Sequence, residues 1–130
     1  MVCLVALAAL GTLGRARAAP PPQVPGASIS SPRDNAIVRG QVVIQGTANI
    51  SDFWKYELHY SPEPVSGDQW FPITGVVETP VVDGVLGVWD TTKVPDGSYS
   101  IRLRVARRDG NYVEVFVRGI TVANTKPTET

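Results

Sequence analysis

Val94-Pro95-Asp96-Gly97-Ser98-Tyr99-Ser100-Ile101-Arg102-Leu103-Arg104-Val105, closed by Asp109-Gly110-Asn111, is the stretch that decides the fold. Tyr99, Ile101, Leu103 and Val105 alternate with Ser98, Ser100, Arg102 and Arg104. Period two with one apolar face and one polar face predicts a half-buried strand. Pro95-Asp96-Gly97 supplies the turn before it. Proline pre-sets φ at a turn's second residue, and Gly97 accepts the backbone angle that ends it. Asp109-Gly110 suits a tight hairpin, after which Val113 to Val122 resumes an apolar run. Tyr99, at the head of the strand, fits a tyrosine corner: hydroxyl bonded to backbone just upstream, ring packed in the core.

Working outward, 130 residues leave room for one domain. Twelve basic and twelve acidic residues cancel, so charge gives no case for nucleic acid or an acidic membrane as partner. Twelve glycines and eleven prolines suit a chain with many turns. Residues 1–19 read as a secretory signal peptide. Val2 to Leu13 is apolar, and Ala16-Arg17-Ala18 fits a small-x-small cleavage site. Arg15 and Arg17 follow the apolar run, and no lysine or arginine precedes it, as in a truncated signal with its start further upstream. The competing reading is a short anchor or buried helix, although the run is short for a bilayer span. Cys3 is the only cysteine, so the chain left after cleavage has no disulfide or Cys-based metal site and depends on its core. The expected location is outside the cell, with no membrane span after cleavage.

Residues 20–26 read as a Pro-rich linker, residues 27–123 as the domain and residues 124–130 as a Thr-rich tail. Ile29 to Pro32 is a short first strand, Asp34-Asn35 a turn and Ile37-Val38 a brief extension. Gln41 to Ala48 is a strand whose Val42, Ile44, Gly46 and Ala48 share a face. The small Gly46 and Ala48 predict close approach by something bulky, a tryptophan being one candidate. Phe53 to Ser61 sets Trp54, Tyr56, Leu58 and Tyr60 against Lys55, Glu57 and His59. Glu57 could pair across the ladder with an arginine of the 94–105 strand. Gln69 to Ile73 is an edge strand, because Pro72 cannot serve a central ladder. Val81 to Leu86 reads as a hairpin around Asp83-Gly84, with Val85 to Asp90 returning. Leu86 and Trp89 differ in parity, so a bulge at Gly87 is expected, and a second at Arg118-Gly119 for the same reason. The sum is seven or eight strands and an all-β, immunoglobulin-like or fibronectin III-like β-sandwich.

One resemblance follows. Ile29-Ser30-Ser31-Pro32, Val38-x-Gly40-x-Val42-x-Ile44-x-Gly46-Thr47-Ala48, Phe53-x-x-Tyr56-x-Leu58-x-Tyr60, Trp70-x-x-Ile73, Trp89-Asp90-Thr91 and Pro95-Asp96-Gly97-x-Tyr99-x-Ile101-Arg102-Leu103 occur in order. This resembles the bacterial Ig-like/fibronectin III-like modules of secreted and cell-surface proteins, including C-terminal domains of some penicillin-binding proteins and extracellular proteases. The resemblance covers about Ile29 to Val122. It implies a spacer or adhesion module without catalytic activity, in which Tyr99, Trp54, Trp89 and Gly97 are structural. Such modules usually accompany another domain.

Chemistry is sparse. His59 is the only histidine and falls on a polar strand face, so no catalytic triad can be assembled from it. The Asp-Gly pairs at Asp83, Asp96 and Asp109 could offer calcium ligands, but each also explains itself as a turn. Glu57, Glu63, Glu78 and Glu114 are scattered for a glycosidase pair. Trp70 and Phe71 are the best ligand candidates, against a competing role in the core. Arg102, Arg104, Arg107, Arg108 and Arg118 form either an anion or polysaccharide patch or a solvated face. The expectation is a secreted, monomeric, non-enzymatic module without cofactor or metal. Its partner would be an unidentified protein; the alternative is a carbohydrate- or cell-wall-binding module using the edge aromatics Trp70 and Phe71 with Arg102 and Arg104.

Overall fold

A computed structural model describes residues 23–65, 67 and 69–125. The signal-peptide reading of residues 1–19 and most of the Thr-rich tail lie outside the described residues. The strands are β1 (Gln23–Val24), β2 (Ala27–Ser31), β3 (Ile37–Val38), β4 (Gln41–Ala48), β5 (Phe53–Pro62), β6 (Phe71–Pro72), β7 (Val81–Asp90), β8 (Gly97–Arg107) and β9 (Tyr112–Val122). A single 3-10 turn, Thr91–Lys93, joins β7 to β8. The strands form two sheets, ordered β1-β2-β4-β7 and β3-β9-β8-β5-β6. Neighbours are antiparallel except β3 beside β9. This is an all-β sandwich with an immunoglobulin-like strand order.

β8 sits centrally in its sheet, paired with β5 and β9. Ile101, Leu103 and Val105 are wholly buried, while Arg102 and Arg104 alternate outward. Burying each such side chain contributes about 1.5–3 kcal/mol. Ile29, Ile44, Leu58, Val117, Ile120 and Val122 complete the same core from both sheets. Tyr99 Oη donates to the Pro95 carbonyl at 2.5 Å, so the tyrosine corner is present. Tyr56 Oη donates to the Leu86 carbonyl at 2.7 Å and ties one sheet to the other.

Both expected bulges occur. Ile44 opposes Gly87 and Gln45 opposes Val85, leaving Leu86 as the extra residue, and Leu86 and Trp89 both turn inward. In β9, Arg118 and Gly119 together oppose Ser100, and Gly119 takes φ +73°. The backbone groups freed there are bonded elsewhere, as buried polar groups must be. Arg118 N donates to Asp34 Oδ1, Gly119 N donates to Glu63 Oε2, and the Arg118 carbonyl accepts from Asn35 N. Val115, Val117, Ile120 and Val122 therefore all face the core.

Five expectations change. Gln23 and Val24, assigned to the linker, pair with Ser28 and Ala27, so the fold begins before Ala27. Pro25 and Gly26 make the turn between them, and neither has to join the ladder. Val81 to Asp90 is one continuous strand, not a hairpin, because β4 runs alongside all of it. Asp83, at φ +47°, sits in a bulge opposite Thr47, whose Oγ1 accepts from Asp83 N at 2.9 Å. What Gly46 accommodates is backbone, not a tryptophan: a Cβ there would lie 2.1 Å from the Ser28 carbonyl oxygen. Trp54 is not a core residue. It is the extra residue of a bulge between Phe53 and Lys55 and is 38% exposed, while Phe53 packs inward in its place. Asn124 belongs to the domain, since its side chain bridges Gly40 N and the Thr91 carbonyl.

Candidate functional site

The period-two pattern of β5, β8 and β9 sends one set of side chains to the core and the other to the outer face of the five-stranded sheet. On that face, ion pairs and hydrogen bonds link Lys55 to Glu57 (3.8 Å), Glu57 to His59 (3.2 Å) and His59 to Arg102 (3.2 Å). Arg102 reaches Glu114 at 3.9 Å, and Arg104 donates to Glu114 Oε2 from Nε at 2.9 Å and Nη2 at 2.8 Å. Glu57 lies opposite Arg104 in register, yet its partners are Lys55 and His59, and Glu114 takes the arginine.

Aromatic rings cover the cations. Lys55 lies 4.3 Å from the Trp54 ring centre, Arg102 4.6 Å from Trp70, Arg104 4.4 Å from Tyr112 and Arg118 4.7 Å from Phe116. Trp70 also meets Phe116 at 5.9 Å. Each stack adds about 0.5–1 kcal/mol at an exposed site and more where water is excluded. Arg102 is the most enclosed of the four cations; its buried Nε–H has no acceptor, and burial pulls the guanidinium below its ordinary pKa.

His59 is not the solvated strand residue expected. It is half-buried between two charged neighbours. Arg102 can only donate, so Nδ1 accepts and Nε2–H donates to Glu57. Burial, then the charge of Arg102, holds its pKa below the ordinary value, with Glu57 opposing. The imidazole is neutral here, and the face carries four cations against two carboxylates.

The two edge aromatics do not act together. Trp70 lies over Arg102 on the outer face, and Phe71 packs on Tyr60 at 5.5 Å, toward the aromatic group Tyr60, Trp89 and Tyr99. The core role weighed for Trp70 therefore falls to other rings: Trp89 and Tyr99 are both buried. Gly97 starts β8 at φ +154° with open space at its Cβ position. Arg107 and Arg108 lie at the β8–β9 turn, away from the stacked set. The three Asp-Gly carboxylates serve local bonds: Asp83 with Thr47, Asp96 with Asn124 N and Thr125 N, Asp109 with Asn111. Among the described residues no three His, Cys, Asp or Glu side chains converge.

Two residues that carry the site were not singled out in the sequence. Tyr112 and Phe116 face outward on β9 and complete the stacks. The available signal was their period-two spacing with Glu114 and Arg118, opposite the valines of the same strand. Compared with known proteins, this chain matches no family model, no curated protein and no solved structure.

Proposed function

We propose that this chain is a secreted, non-enzymatic immunoglobulin-like module that engages a protein partner at the bacterial cell surface through the outer face of its five-stranded sheet. The observation that carries this reading is the set of four cation–π stacks on one face. Tryptophan, tyrosine and arginine are the side chains that dominate protein interfaces energetically. Stacking and ion pairing also hold these long side chains in place before binding, which lowers the entropy cost of ordering them. Trp54 and Tyr112, the more exposed rings, are the first contacts; Trp70 and Arg102 stiffen the centre.

A flat sugar-stacking platform formed by Trp70 with Phe71 is the weaker reading, because the two rings pack against different groups and one side of Trp70 is occupied by Arg102. The test is retention of the labelled domain on intact bacterial cells. The expected result is retention that proteinase treatment of the cells abolishes and that the Trp54→Ala/Tyr112→Ala double variant loses at unchanged melting temperature. Retention that survives proteinase but not removal of wall polysaccharide would replace the protein partner with a glycan. No retention at all would leave a spacer.

A further inference from the structure

β6 ends one sheet and β7 ends the other, and a cavity of about 230 Å3 opens between these edges. Its floor is aromatic. Tyr60 and Trp89 stack at 5.2 Å, Phe71 flanks Tyr60, and Tyr99 meets Trp89 edge-on at 5.6 Å. Asp90 and Lys93 stand among the lining residues. Asp90 caps the turn Thr91–Lys93: Oδ1 accepts from both Thr92 N and Thr92 Oγ1, and these bonds hold the carboxyl ionised. Among the described residues Lys93 forms no ion pair. Trp89 also lines the cavity, is 3% exposed, and its buried Nε1–H has no acceptor in the protein. A buried indole N–H normally finds a partner.

We infer that this cleft is a subsite for one β-linked gluco-configured pyranose ring. A ring with all its hydroxyls equatorial presents a flat C–H face, which suits a stacked aromatic floor. Its hydroxyls both donate and accept, so they can satisfy a carboxylate and an ammonium together. The rim carries one charge of each sign, which favours a neutral sugar over a uronate. A ring or hydroxyl oxygen is the acceptor that Trp89 Nε1–H lacks. Pockets for drug-sized ligands run to about 300–1,000 Å3, so this smaller space suits a single ring of a longer glycan. The site is separate from the stacked outer face and does not depend on the partner assigned to it.

The chain has three tryptophans, so a 15N-labelled sample gives three indole signals. Trp54→Phe and Trp70→Phe variants identify the Trp89 signal by elimination. Titration with cellotetraose and with the tetramer of N-acetylglucosamine should move the Trp89 signal saturably with at least one of them and leave the other two in place. Lys93→Ala should weaken that binding about tenfold, the loss of one charge-assisted hydrogen bond, at unchanged melting temperature. No saturable movement of the Trp89 signal with either tetramer would overturn the assignment. So would movement of Trp54 or Trp70 in its place, or full affinity in Lys93→Ala.

Discussion

Replacing Glu63 with alanine should destabilise the domain by about 2–3 kcal/mol, although Glu63 lies in a loop and contributes nothing to the apolar core. Its Oε2 accepts from Ser100 Oγ at 2.6 Å and from Gly119 N at 2.8 Å. Those two bonds, then the charge of Arg118, hold the carboxyl below the usual glutamate range. Ser100 is wholly buried, and Gly119 N belongs to the bulge that turns Ile120 and Val122 into the core. A hydrogen bond to a charged acceptor contributes about 1.5–3 kcal/mol, and a buried donor left unpaired costs about 1–3 kcal/mol. Glu63 is itself half-exposed, so water replaces part of each bond, and the low end applies to both. Urea unfolding measures the effect. With a slope of about 1–1.5 kcal/mol per molar, the midpoint should fall by roughly 2 M. Ser100→Ala removes one of the two donors, so the Glu63→Ala/Ser100→Ala cycle should show a coupling of about 1 kcal/mol or more. Glu63→Gln keeps an oxygen acceptor and should cost less than alanine. A loss under about 0.5 kcal/mol for Glu63→Ala, or additive single variants, would refute the claim that this carboxylate clamps the bulge.

Other perturbations test other parts of the structure. Tyr99→Phe leaves the Pro95 carbonyl without its donor and should cost about 1–3 kcal/mol; an unchanged denaturation midpoint would show that the corner bond contributes nothing. Gly46→Ala should cost about 3 kcal/mol or more, since the new Cβ meets β2 backbone that cannot rotate away; a soluble variant of native stability would contradict the register of β2 on β4. Trp54→Ala should cost under about 1 kcal/mol and Trp89→Ala about 3–5 kcal/mol, with thermal unfolding ranking the pair. His59 has a folded pKa below the unfolded value of about 6.5, so its contribution is complete above that pH. It is lost as pH falls from there through the depressed folded value, because the unfolded chain takes up the proton first. His59→Gln should flatten stability across this window, and an NMR titration placing His59 at or above 6.5 would reverse the sign.

The strand parity of β8 and the tyrosine corner were legible because they depend on neighbours two and four residues away. The bulges at Gly87 and Arg118-Gly119 were legible too: a strand whose apolar residues change parity must add a residue or expose half of them. The same rule was available for Phe53 and Trp54 but could not choose between them. Either aromatic can lead the strand, and the pairing with Arg107 and Ala106 made the choice. Asp83-Gly84 carries the residues of a hairpin turn, and the same positive φ serves a bulge. Which of the two forms depends on whether β4 continues alongside.

The candidate site was partly legible. Arg102 and Arg104 were placed on the outer face by alternation alone, and Glu57 was drawn to an arginine because their strands were expected to pair. The actual partners, Glu114 for Arg104 and His59 for Arg102, come from lateral packing of three strands far apart in sequence. Glu63 had no local signal at all, since its two donors lie 37 and 56 residues away.

By itself, then, the sequence determined the class of structure: alternation, turn residues and a corner tyrosine demand a two-sheet β-sandwich whatever the details of pairing. Only the tertiary structure decided what Trp70 and Phe71 do. Adjacent in the chain, they pack against different groups, Trp70 over the Arg102 guanidinium and Phe71 against the Tyr60 ring. Alternation along a strand can separate neighbouring side chains, but it does not say what waits for each. That depends on which strands lie beside them, and those contacts join residues far apart in the chain.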